Sequence, residues 1–470
     1  MRVRARASHE SRTGITNGTI DVKQILVVGA GQSAPYLISH LLEQAEREDW
    51  FVTVGDISLE LARLRVGDHP RGDAVRFDVE DADLRDTHIK KVDVVVNMLA
   101  PAFQNLIAWD CVNHGRHMIS VSYREKAVRH LDMDAKRRGV LLLCEMGLDP
   151  GIDHMSAMAL IRRLRSDGGR ITAFRSYGSG LPVPYQAHNP LRYVITWNPR
   201  NVVMADSEGA QYMENGRIKI VPYHEVFHHT WPVEVDGVGT LEAYPNRDSM
   251  SYMQSFGLEH VHTMIRGTLR YPGWSETWAQ IVRLGLPNEN LRIPGLADRT
   301  YHEVVQMFLP LNISGARIEQ RIGRFLNISP TGRIMENLRW LGLLSNERIG
   351  CEGNTAAAML IDLLKKKLPL GPAGRDMVVL VHELEVEYPN GATQAHRITS
   401  TLIAESEAPG FTAMSKAVGL PAAIAVKLLL RNELPLTGTF IPTHPSIYEP
   451  VLRELEQAGL KFKESVAPLL

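Results

Sequence analysis

Four ionisable side chains stand close together in one short segment, which reads CEMGLDPGIDH and spans Cys144–His154. They are Glu145, Asp149, Asp153 and His154. A carboxyl group that is partly removed from water has a raised pKa and can exchange protons with a substrate. Asp149 follows an apolar run and opens the turn Asp149-Pro150-Gly151, so it is predicted to face a cleft. Two roles stay open for Asp149, a proton acceptor or a partner of the turn amides, whereas Asp153 is predicted to cap the helix that follows.

A glycine-rich loop indicates a second kind of chemistry, the binding of phosphate groups. The stretch VVGAGQSA places Gly29, Gly31 and Ala34 in a G-x-G-x-x-A pattern between an apolar run and a helical pattern. The first glycine permits a tight turn, the second lets the backbone approach a pyrophosphate, and the alanine allows close packing of helix on strand. We predict that this loop, including Gln32 and Ser33, binds a dinucleotide. The alternatives are a nucleotide-free domain of the same kind or one that binds another adenosine cofactor.

Two further polar residues follow apolar runs and are predicted to contact this cofactor. Asp56 ends the run VTVGD, and Asn97 ends the run VDVVVN. A carboxylate at the end of the second strand accepts hydrogen bonds from a ribose 2′-hydroxyl and repels a 2′-phosphate. The sequence therefore favours NAD, with NADP possible. An ordinary acidic turn residue is the alternative for Asp56.

Arginines are the candidates for holding a carboxylated substrate. The segment IRGTLRY alternates, with Arg266 and Arg270 on one face of a predicted strand, and Arg247 stands in the segment YPNRDS. The planar guanidinium group binds carboxylates through two parallel hydrogen bonds. Arg247, Arg266 and Arg270 are therefore predicted to bind substrate, although a structural ion pair is the alternative for each.

The elements that must position these residues are a series of strands and helices that alternate. Apolar runs at 24–28, 50–54, 74–77, 92–97, 117–122 and 140–144 predict strands. Between the first two, Leu37, Ile38, Leu41, Leu42 and Ala45 share one helical face, and a further helix is predicted from about 125 to 138. Such alternation predicts an α/β fold with an N-terminal Rossmann domain, a doubly wound parallel sheet.

The later part of the chain is predicted to form a mixed α/β substrate domain with a mainly helical insertion. The expected division is a flexible tail (1–22), the NAD(P)-binding domain (23–150), the substrate and dimerisation domain (151–274 and 371–411), the helical subdomain (275–370) and a C-terminal helical segment (412–470) that packs back on the Rossmann domain. A hairpin with its turn at Asn390-Gly391 is predicted within residues 377–405.

Composition favours a soluble enzyme over other classes of protein. The chain has 470 residues, a net charge of −1, and 44% hydrophobic residues, so two or three domains are expected. Since no basic excess exists, we expect neither a nucleic-acid partner nor a membrane partner. The three cysteines lie far apart, which argues against disulfides and thiolate zinc sites. These features predict a cytoplasmic enzyme with a small-molecule substrate.

One short motif indicates a different chemistry. The stretch HEVFHH begins at His224 and fits H-E-x-x-H, a pattern of zinc hydrolases. That chemistry requires a helix that places His224 and His228 one turn apart. Pro222 and Pro232 flank the stretch and leave room for at most about two helical turns. We therefore expect no metal, and predict solvated histidines in a peripheral turn or loop.

Several segments in one order resemble the saccharopine dehydrogenase family, in particular its glutamate-forming saccharopine reductases. They are CEMGLDPGIDH, SYGSGLPVP, NPLRYVITW, AYPNRDS, IRGTLRYPG, DMVVLVHELEV and SKAVGLPAAIAVKLLL. The resemblance implies oxidation of the secondary amine of saccharopine by NAD(P), through an imine, to glutamate and α-aminoadipate semialdehyde in lysine metabolism. It also implies proton handling by Tyr123 and Asp149 and substrate binding by Arg247. A homodimer is expected from the large mixed sheet domain.

The sequence departs from the family pattern at two places, and two rival functions stay open. Gly178 stands where the family motif S-Y-C-G-G-L-P has cysteine, and no arginine follows Asp56, where the fungal members that use NADP carry one. One rival is a dehydrogenase of a carboxylated polyamine, which uses the same imine chemistry. The other is a non-catalytic NAD-binding regulator, against which the substrate arginines argue.

Overall fold

The structure is a computed structural model that describes residues 22–205, 207–388, 395–407 and 410–469. Residues 1–21 of the predicted tail and the predicted turn at Asn390-Gly391 lie outside these ranges. The strands that flank this turn do pair in antiparallel fashion, as predicted.

The strands of the described residues lie in two sheets. They are β1 (Lys23–Val28), β2 (Trp50–Asp56), β3 (Gly72–Arg76), β4 (Val94–Asn97), β5 (His117–Ser120), β6 (Leu141–Leu143), β7 (Arg170–Pro182), β8 (Ala210–Glu214), β9 (Arg217–Val221), β10 (Trp231–Val235), β11 (Gly239–Pro245), β12 (Thr263–Arg270), β13 (Asp376–Glu387), β14 (His396–Glu405), β15 (Gly438–Phe440) and β16 (Lys463–Pro468).

Helices cover both faces of the first sheet, and the helices within residues 274–367 pack beside the second sheet. They are α1 (Pro35–Ala45), α2 (Leu59–Val66), α3 (Ala82–Ile89), α4 (Gln104–His114), α5 (Lys126–His130), α6 (Asp132–Arg137), α7 (Ile152–Ser166), α8 (Pro199–Val203), α9 (Tyr223–Val226), α10 (Tyr252–Phe256), α11 (Trp274–Arg283), α12 (Tyr301–Met307), α13 (Ile318–Leu326), α14 (Arg333–Leu341), α15 (Ala356–Lys367), α16 (Ala413–Leu430) and α17 (Pro445–Gln457).

The first sheet is parallel throughout and has the order of a doubly wound fold. Within the described residues its strands run β15-β6-β5-β4-β1-β2-β3. The apolar runs that predicted β1, β2, β4, β5 and β6 are largely buried because helices cover both faces of the sheet, whereas β3 at the sheet edge is only half-buried. The carboxyl ends of parallel strands meet at one edge, so the residues that follow β1, β2, β4, β5 and β6 share that edge. The predicted α/β Rossmann fold is confirmed.

The second sheet is mixed and carries the arginines of β12. Within the described residues its main path is β10-β11-β12-β7-β13-β14-β16, with β8 and β9 attached beside β12. Strand β12 pairs in parallel with β7 and in antiparallel with β11. The predicted alternation of β12 is seen, because Ile265 and Leu269 belong to an apolar core, whereas the alternate residues Arg266 and Arg270 line cavities.

Helix α16 connects the two sheets physically. It is long and apolar enough to cross a membrane by length and composition, but 78% of its residues are buried in the protein. It packs against α1, and a Cβ atom added at Gly419 would lie 2.8 Å from the backbone nitrogen of Leu37. Its N-terminus is held by Asp376 at the start of β13, whose carboxylate accepts hydrogen bonds from the backbone of Ala413 and Met414 at 2.8 and 3.0 Å. Its burial makes it a core helix.

One predicted helix is interrupted. The predicted helix from about 125 to 138 is divided into α5 and α6. The break lies at Leu131, which is buried and has a ψ of −2°, outside the values of a regular helix. The other predicted helix face is confirmed, because Leu37, Ile38, Leu41, Leu42 and Ala45 are the buried residues of α1.

Candidate active site

The glycine-rich loop has the shape that a dinucleotide pyrophosphate requires. Gly29 has a φ of +101°, and a Cβ atom there would lie 3.1 Å from Leu99. A Cβ atom at Gly31 would meet no atom within 4 Å, so the space above this backbone is open. Ala34 is buried where α1 begins against the sheet. The residues therefore fit the predicted nucleotide, since a side chain at Gly31 would fill the space that a phosphate needs.

Two amide groups of this loop, those of Gln32 and Ser33, are available to bind a phosphate. Neither N–H has an acceptor among the described residues, whereas the N–H of Tyr36 in α1 donates to Ser415 of α16 at 3.0 Å. The loop can therefore offer two backbone donors at the N-terminus of a helix, where the helix dipole also favours an anion. Ser33 lines the main cavity between the two sheets.

Asp56 lies at the end of β2 and is tied to the same loop. Its carboxylate accepts hydrogen bonds from the backbone N–H of Ala30 at 2.8 Å and of Ser58 at 2.9 Å. The Arg65 side chain also approaches the loop and donates to the carbonyl of Ala30 at 3.1 Å. Asp56 therefore fixes the loop, and its contact with an adenosine ribose stays a prediction.

Asn97 lies at the end of β4 but does not line the cavity. Its side chain is fully buried, its Oδ1 accepts from the backbone of Leu99 at 3.1 Å, and its Nδ2 has no partner among the described residues. The following residues, 98–101, line the cavity instead. Direct contact of Asn97 with a cofactor stays a prediction. Its observed hydrogen bond with Leu99 holds the loop 98–101, which lines the cavity.

Tyr123 and Asp149 meet at the carboxyl ends of β5 and β6. The Tyr123 hydroxyl donates to Asp149 Oδ1 at 3.3 Å, and Arg266 of β12 donates to the same oxygen at 2.5 Å. Both Tyr123 and Asp149 line the main cavity, together with Ser33 of the nucleotide loop. The two residues that the family resemblance singled out for proton handling are thus brought together. Arg266 lies behind Asp149 rather than on that cavity.

The surroundings of Asp149 favour its protonated form more than water does. Burial and the negative charge of Asp153 raise the pKa of Asp149 to about 6, against the opposing effect of Arg266. Burial and the Asp149 carboxylate also raise the pKa of Tyr123 above its ordinary value. Near neutral pH, Asp149 can therefore accept a proton, whereas the Tyr123 hydroxyl stays neutral and donates.

The space for the Asp149 carboxylate depends on a glycine. A Cβ atom added at Gly178 in β7 would lie 2.5 Å from Asp149 Oδ2 and 2.9 Å from Leu380. Such a side chain would displace the carboxylate, because contacts this short do not occur between packed atoms. Gly178, where the sequence departs from the family motif, therefore leaves the space that the Asp149 carboxylate occupies in this chain.

Behind Asp149 lies a line of buried ionised groups that we call the buried row: Arg266, Asp153, His154 and Glu145. Asp153 Oδ2 accepts from Arg266 at 3.0 Å and lies 3.0 Å from His154 Nδ1. His154 Nε2 lies 2.7 Å from Glu145 Oε2. The side chains of all four are at most 5% exposed.

Each member of the buried row is held in its charged form by its neighbours. Burial lowers the pKa of His154, but the carboxylates of Asp153 and Glu145 outweigh burial and raise it to about 9. Burial raises the pKa of Asp153, but His154 and Arg266 hold it below its ordinary value. The pKa of Glu145 is also lowered in spite of burial, through its hydrogen bond with His154.

The prediction that Asp153 caps the following helix is wrong. Helix α7 begins at Ile152 with Gly151 in the capping position, so Asp153 belongs to the first turn. Its Oδ1 does accept from the backbone N–H of Gly151 at 2.6 Å, but its other oxygen pairs with Arg266 and His154. Sequence spacing could not show this, because Arg266 is 113 positions away.

The three predicted substrate arginines have different surroundings. Arg266 is engaged by Asp149 and Asp153, so its guanidinium is already neutralised inside the protein. Arg270 is only 3% exposed, lines the main cavity, and has no carboxylate partner among the described residues. Its Nη1 donates to Ser179 at 2.8 Å, and no described residue accepts a hydrogen bond from its Nε.

Aromatic rings surround the Arg270 guanidinium. Its central carbon lies 4.8 Å from the ring centres of both Tyr193 and Trp274 and 5.8 Å from that of Tyr244. Rings stabilise a cation through their electron-rich faces, but they do not replace an anionic partner for a buried charge. Arg270 is therefore suited to receive a carboxylate from the cavity.

Arg247 lies at the rim of the same cavity. It is exposed and has a φ of +50°, and its guanidinium carbon lies 5.1 Å from the ring centre of Tyr123. It lines both the main cavity and a second, adjoining cavity that Arg266 also lines. The structure thus places Arg247 beside the Tyr123–Asp149 pair.

The HEVFHH stretch does not form the helix that zinc chemistry requires. Helix α9 comprises only Tyr223–Val226, so His228 lies beyond its end, and the His224 side chain is 65% exposed. Within the described part of the chain, no group of three or more His, Cys, Asp or Glu side chains could hold a metal ion.

Several cavity residues were not singled out from the sequence. They include the loop 98–101, Trp197, Asn246, Thr268 and, from α16, Met414 and Val418. Asn246 and Thr268 flank predicted arginines in YPNRDS and IRGTLRY, so the same motifs could have indicated them. Helix α16 is distant in sequence, and its contribution follows only from its packing against α1.

Two family descriptions match nearly the whole chain. The description "Saccharopine dehydrogenase NADP binding domain" matches residues 25–143, and "Saccharopine dehydrogenase C-terminal domain" matches residues 147–460. The chain belongs to the saccharopine dehydrogenase family. The predicted resemblance is thereby confirmed, as is the class of NAD(P)-dependent oxidoreductases acting on CH–NH groups.

Named relatives agree with this family. The chain is 30% identical to the glutamate-forming, NADP+-dependent saccharopine dehydrogenase of Pyricularia oryzae, over 94% of this chain and 99% of that protein. It is also 30% identical to the mitochondrial α-aminoadipic semialdehyde synthase of Bos taurus, of whose length it spans about half, 49%.

A solved member of the saccharopine dehydrogenase family has the same fold. The apo glutamate-forming enzyme from Saccharomyces cerevisiae superposes with a TM-score of 0.81 at 29% identity, covering 95% of this chain and all of that one. The sequence prediction of NAD with NADP possible is confirmed at the level of a nicotinamide dinucleotide, and the family description and fungal relatives point to NADP in particular.

Proposed function

We propose that this protein catalyses the reversible oxidation of saccharopine to glutamate and α-aminoadipate semialdehyde with a nicotinamide dinucleotide. The observation that carries this proposal is one cavity shared by three features. These features are the nucleotide loop at Ser33, a carboxyl group with a raised pKa at Asp149, and the buried Arg270, which has no carboxylate partner in the part of the chain that the structure describes. A substrate that is both an amine and a carboxylate suits this combination.

The reaction removes a hydride from carbon and a proton from nitrogen. When bound, the nicotinamide accepts the hydride from the carbon next to the secondary amine of the substrate. Loss of the amine proton gives a carbon–nitrogen double bond, water adds to that carbon, and the carbon–nitrogen bond then breaks. The amine leaves as glutamate, and the carbon becomes the aldehyde. The protein must therefore accept and return protons at one place.

Asp149 and Tyr123 are the groups proposed to move these protons. Asp149 accepts the proton of the substrate amine and of the water that attacks, because its pKa of about 6 leaves it ionised but basic near neutral pH. The Tyr123 hydroxyl donates to Asp149 at 3.3 Å and stays neutral. It therefore orients the carboxylate, and once Asp149 holds a proton the single Tyr123 hydrogen is free to bond to a substrate oxygen or nitrogen.

Arg270 and Arg247 are proposed to hold substrate carboxylates. Arg270 is buried and lies on the cavity wall, and its Nε lacks a hydrogen-bond acceptor within the described ranges. Arg247 lies at the cavity rim beside Tyr123, where it can bind a second carboxylate. For Arg266 we propose support of Asp149 in place of the predicted substrate contact, because two carboxylates already engage it.

We also propose that Asp56 makes the chain favour NAD, in contrast with its fungal relatives. The relatives that point to NADP are named for that cofactor. In this chain the Asp56 carboxylate is fixed at the end of β2 by the N–H groups of Ala30 and Ser58. A fixed negative charge at this place binds a ribose hydroxyl and repels a 2′-phosphate.

A homodimer and a cytoplasmic location complete the proposal. Two large apolar side chains of β9, Ile218 and Ile220, are 62% and 77% exposed in one chain. Apolar residues that are exposed on one face of a strand support contact with a second copy of the chain.

The mammalian relatives are named as mitochondrial, so fractionation of cells that express this protein is the measurement that decides its compartment.

The central experiment measures turnover of saccharopine by the purified protein. With either nicotinamide dinucleotide, saccharopine should generate the absorbance of the reduced nicotinamide. Asp149→Asn should lower kcat about 100-fold, since a positioned proton acceptor typically contributes 10²- to 10⁴-fold. Asp83→Asn, on the exposed side of α3, is the matched control and should leave kcat unchanged.

Two outcomes would contradict the proposed function. Binding of the dinucleotide without turnover of saccharopine in either direction would favour a non-catalytic nucleotide-binding role. Turnover of a carboxylated polyamine but not of saccharopine would assign the chain to the rival dehydrogenase.

A further inference from the structure

The buried row has an arrangement that a purely structural ion pair does not need. Starting at the cavity, the order of contacts is Asp149, Arg266, Asp153, His154 and Glu145, with separations of 2.5, 3.0, 3.0 and 2.7 Å. Acidic and basic groups alternate without exception along this line. The line begins at Asp149 on the main cavity and ends at Glu145, which lines the second cavity together with Arg266. The side chains of the row are nevertheless at most 5% exposed, so their charges act on Asp149 through a medium of low polarity.

The charges of the buried row cancel without Asp149. Arg266 and His154 each carry one positive charge, and Asp153 and Glu145 each carry one negative charge, because their neighbours favour the ionised form of each. An ionised Asp149 therefore adds one negative charge that the row does not neutralise. A buried cluster tends toward net neutrality, because an unbalanced charge is costly away from water.

We propose that the buried row decides whether Asp149 holds a proton, with Asp153 and His154 as positioning residues that act on Asp149 through Arg266. Arg266 is shared, because Asp153 takes part of the positive charge that would otherwise stabilise an ionised Asp149. His154 reduces this competition, because it neutralises Asp153 from the other side. Neither residue lines the main cavity, so neither is proposed to touch substrate.

Other polar groups packed around Asp149 do not supply a balancing charge inside the row. Tyr252 of α10 donates to Glu145 and lies over Arg266, and Arg247 lies over Tyr123 at the exposed rim. His382 of β13 is buried between Ser156 and Ser176, and burial lowers its pKa to about 4, so it is neutral. Near Asp149 or the buried row lie Tyr123, Arg247, Tyr252, Gly178 and His382. The backbone N–H groups of Arg124 and Gly151 donate to Glu145 and Asp153 and carry no net charge.

Two substitutions should move the titration of Asp149 in opposite directions. Asp153→Asn removes the competing carboxylate, so Arg266 serves Asp149 alone and the pKa of Asp149 should fall by about one unit. His154→Gln removes a positive charge and should raise the pKa of Asp149 by about one unit. His382→Gln replaces a neutral buried side chain nearby and should leave the titration unchanged.

The measurement is the titration of the Asp149 carboxyl carbon by NMR in full-length protein labelled with ¹³C-aspartate. The Asp149→Asn variant identifies the signal. The NMR titration does not require turnover, so its outcome is independent of the proposed function. Only the catalytic role of Asp149 rests on that function. The acid limb of kcat/KM for saccharopine should then shift with the NMR value, downward in pH for Asp153→Asn and upward for His154→Gln.

The opposite signs make the proposal falsifiable. The proposal would be overturned if the pKa of Asp149 shifted in the same direction in both variants, or in neither. A purely structural role would lower activity without moving this pKa in opposite directions. If one variant does not fold, the direction seen in the other still decides. Opposed NMR shifts in a protein that does not oxidise saccharopine would support the role of the buried row and contradict only the proposed function.

Discussion

Asp149 and Arg270 are both charged side chains removed from water, but only Asp149 has an oppositely charged partner in the described structure. A buried guanidinium without a carboxylate costs stability, and it is retained where binding requires it. On strand β12, Arg270 thus differs from Arg266, which two carboxylates neutralise. The sequence predicted both arginines on one face of a strand, but it could not distinguish them, because their partners are far away along the chain.

Replacing Arg270 should separate substrate binding from folding. Arg270→Met should raise the KM for saccharopine about 10- to 100-fold, since a charge-assisted hydrogen bond is worth about 1.5–3 kcal/mol. It should leave the free energy of unfolding unchanged or higher, because it removes a buried cation that has no carboxylate partner among the described residues. Arg266→Met is the matched control on the same strand and should destabilise by about 3–5 kcal/mol. Equal losses of stability in a denaturant titration would contradict this distinction.

Replacing Asp56 should alter the choice of cofactor. Asp56→Ala removes the charge that repels a 2′-phosphate and the partner of the ribose hydroxyl. The ratio of kcat/KM with NADP to that with NAD should therefore rise by roughly tenfold. Asp73→Ala, an exposed acid in β3, is the control. An unchanged ratio would mean that Asp56 serves only to fix the glycine-rich loop through Ala30.

At the scale of elements, hydrophobic periodicity predicted which face of a strand or helix is buried. It did not predict where a helix begins or breaks when contacts with distant residues determine that boundary. The buried face of α1 and the alternation of β12 follow directly from side-chain spacing. The interruption at Leu131 and the first turn of α7 depend on tertiary contacts that local propensity does not contain. The placement of Asp149 after β6 was predictable, because its turn follows a buried strand.

The junction between β13 and α16 gives an element-scale prediction. Asp376 is fully buried and accepts from two backbone N–H groups at the start of α16. Asp376→Ala should reduce the free energy of unfolding by about 2 kcal/mol, because two buried donors lose their acceptor. Asp376→Asn keeps one acceptor and should cost less. Chemical denaturation measures both, and an Asp376→Ala protein as stable as the parent would show that α16 does not need this cap.

At the scale of the whole molecule, the strand order could be predicted for β1 to β6 but not for the second sheet. Alternating strands and helices admit few topologies, since parallel crossovers are right-handed. Mixed sheets admit many, and here β12 and β7 pair in parallel although β8 to β11 lie between them in sequence. The cavity lies where both sheets and α16 meet, which no single segment indicates.

Association of two chains is the prediction at this scale. Light scattering should give twice the mass of one chain, and replacing both Ile218 and Ile220 by lysine should yield monomers, because charges cannot be buried there without partners. Val466→Lys changes an equally exposed apolar residue, 64% exposed in β16, and should leave the dimer intact. A dimer that persists in the double lysine variant would assign the interface to another surface.

The pairing of β15 with β6 has a consequence for the order of events during synthesis. The first six strands leave the ribosome long before β15 and α16 are made. Until then, the edge of the first sheet at β6 and the apolar face that α16 later covers are exposed to solvent. Uncovered parallel edges and apolar faces promote aggregation, and contacts between distant segments form slowly. The yield of soluble protein on overexpression should therefore rise when translation is slowed or when chaperones are supplied.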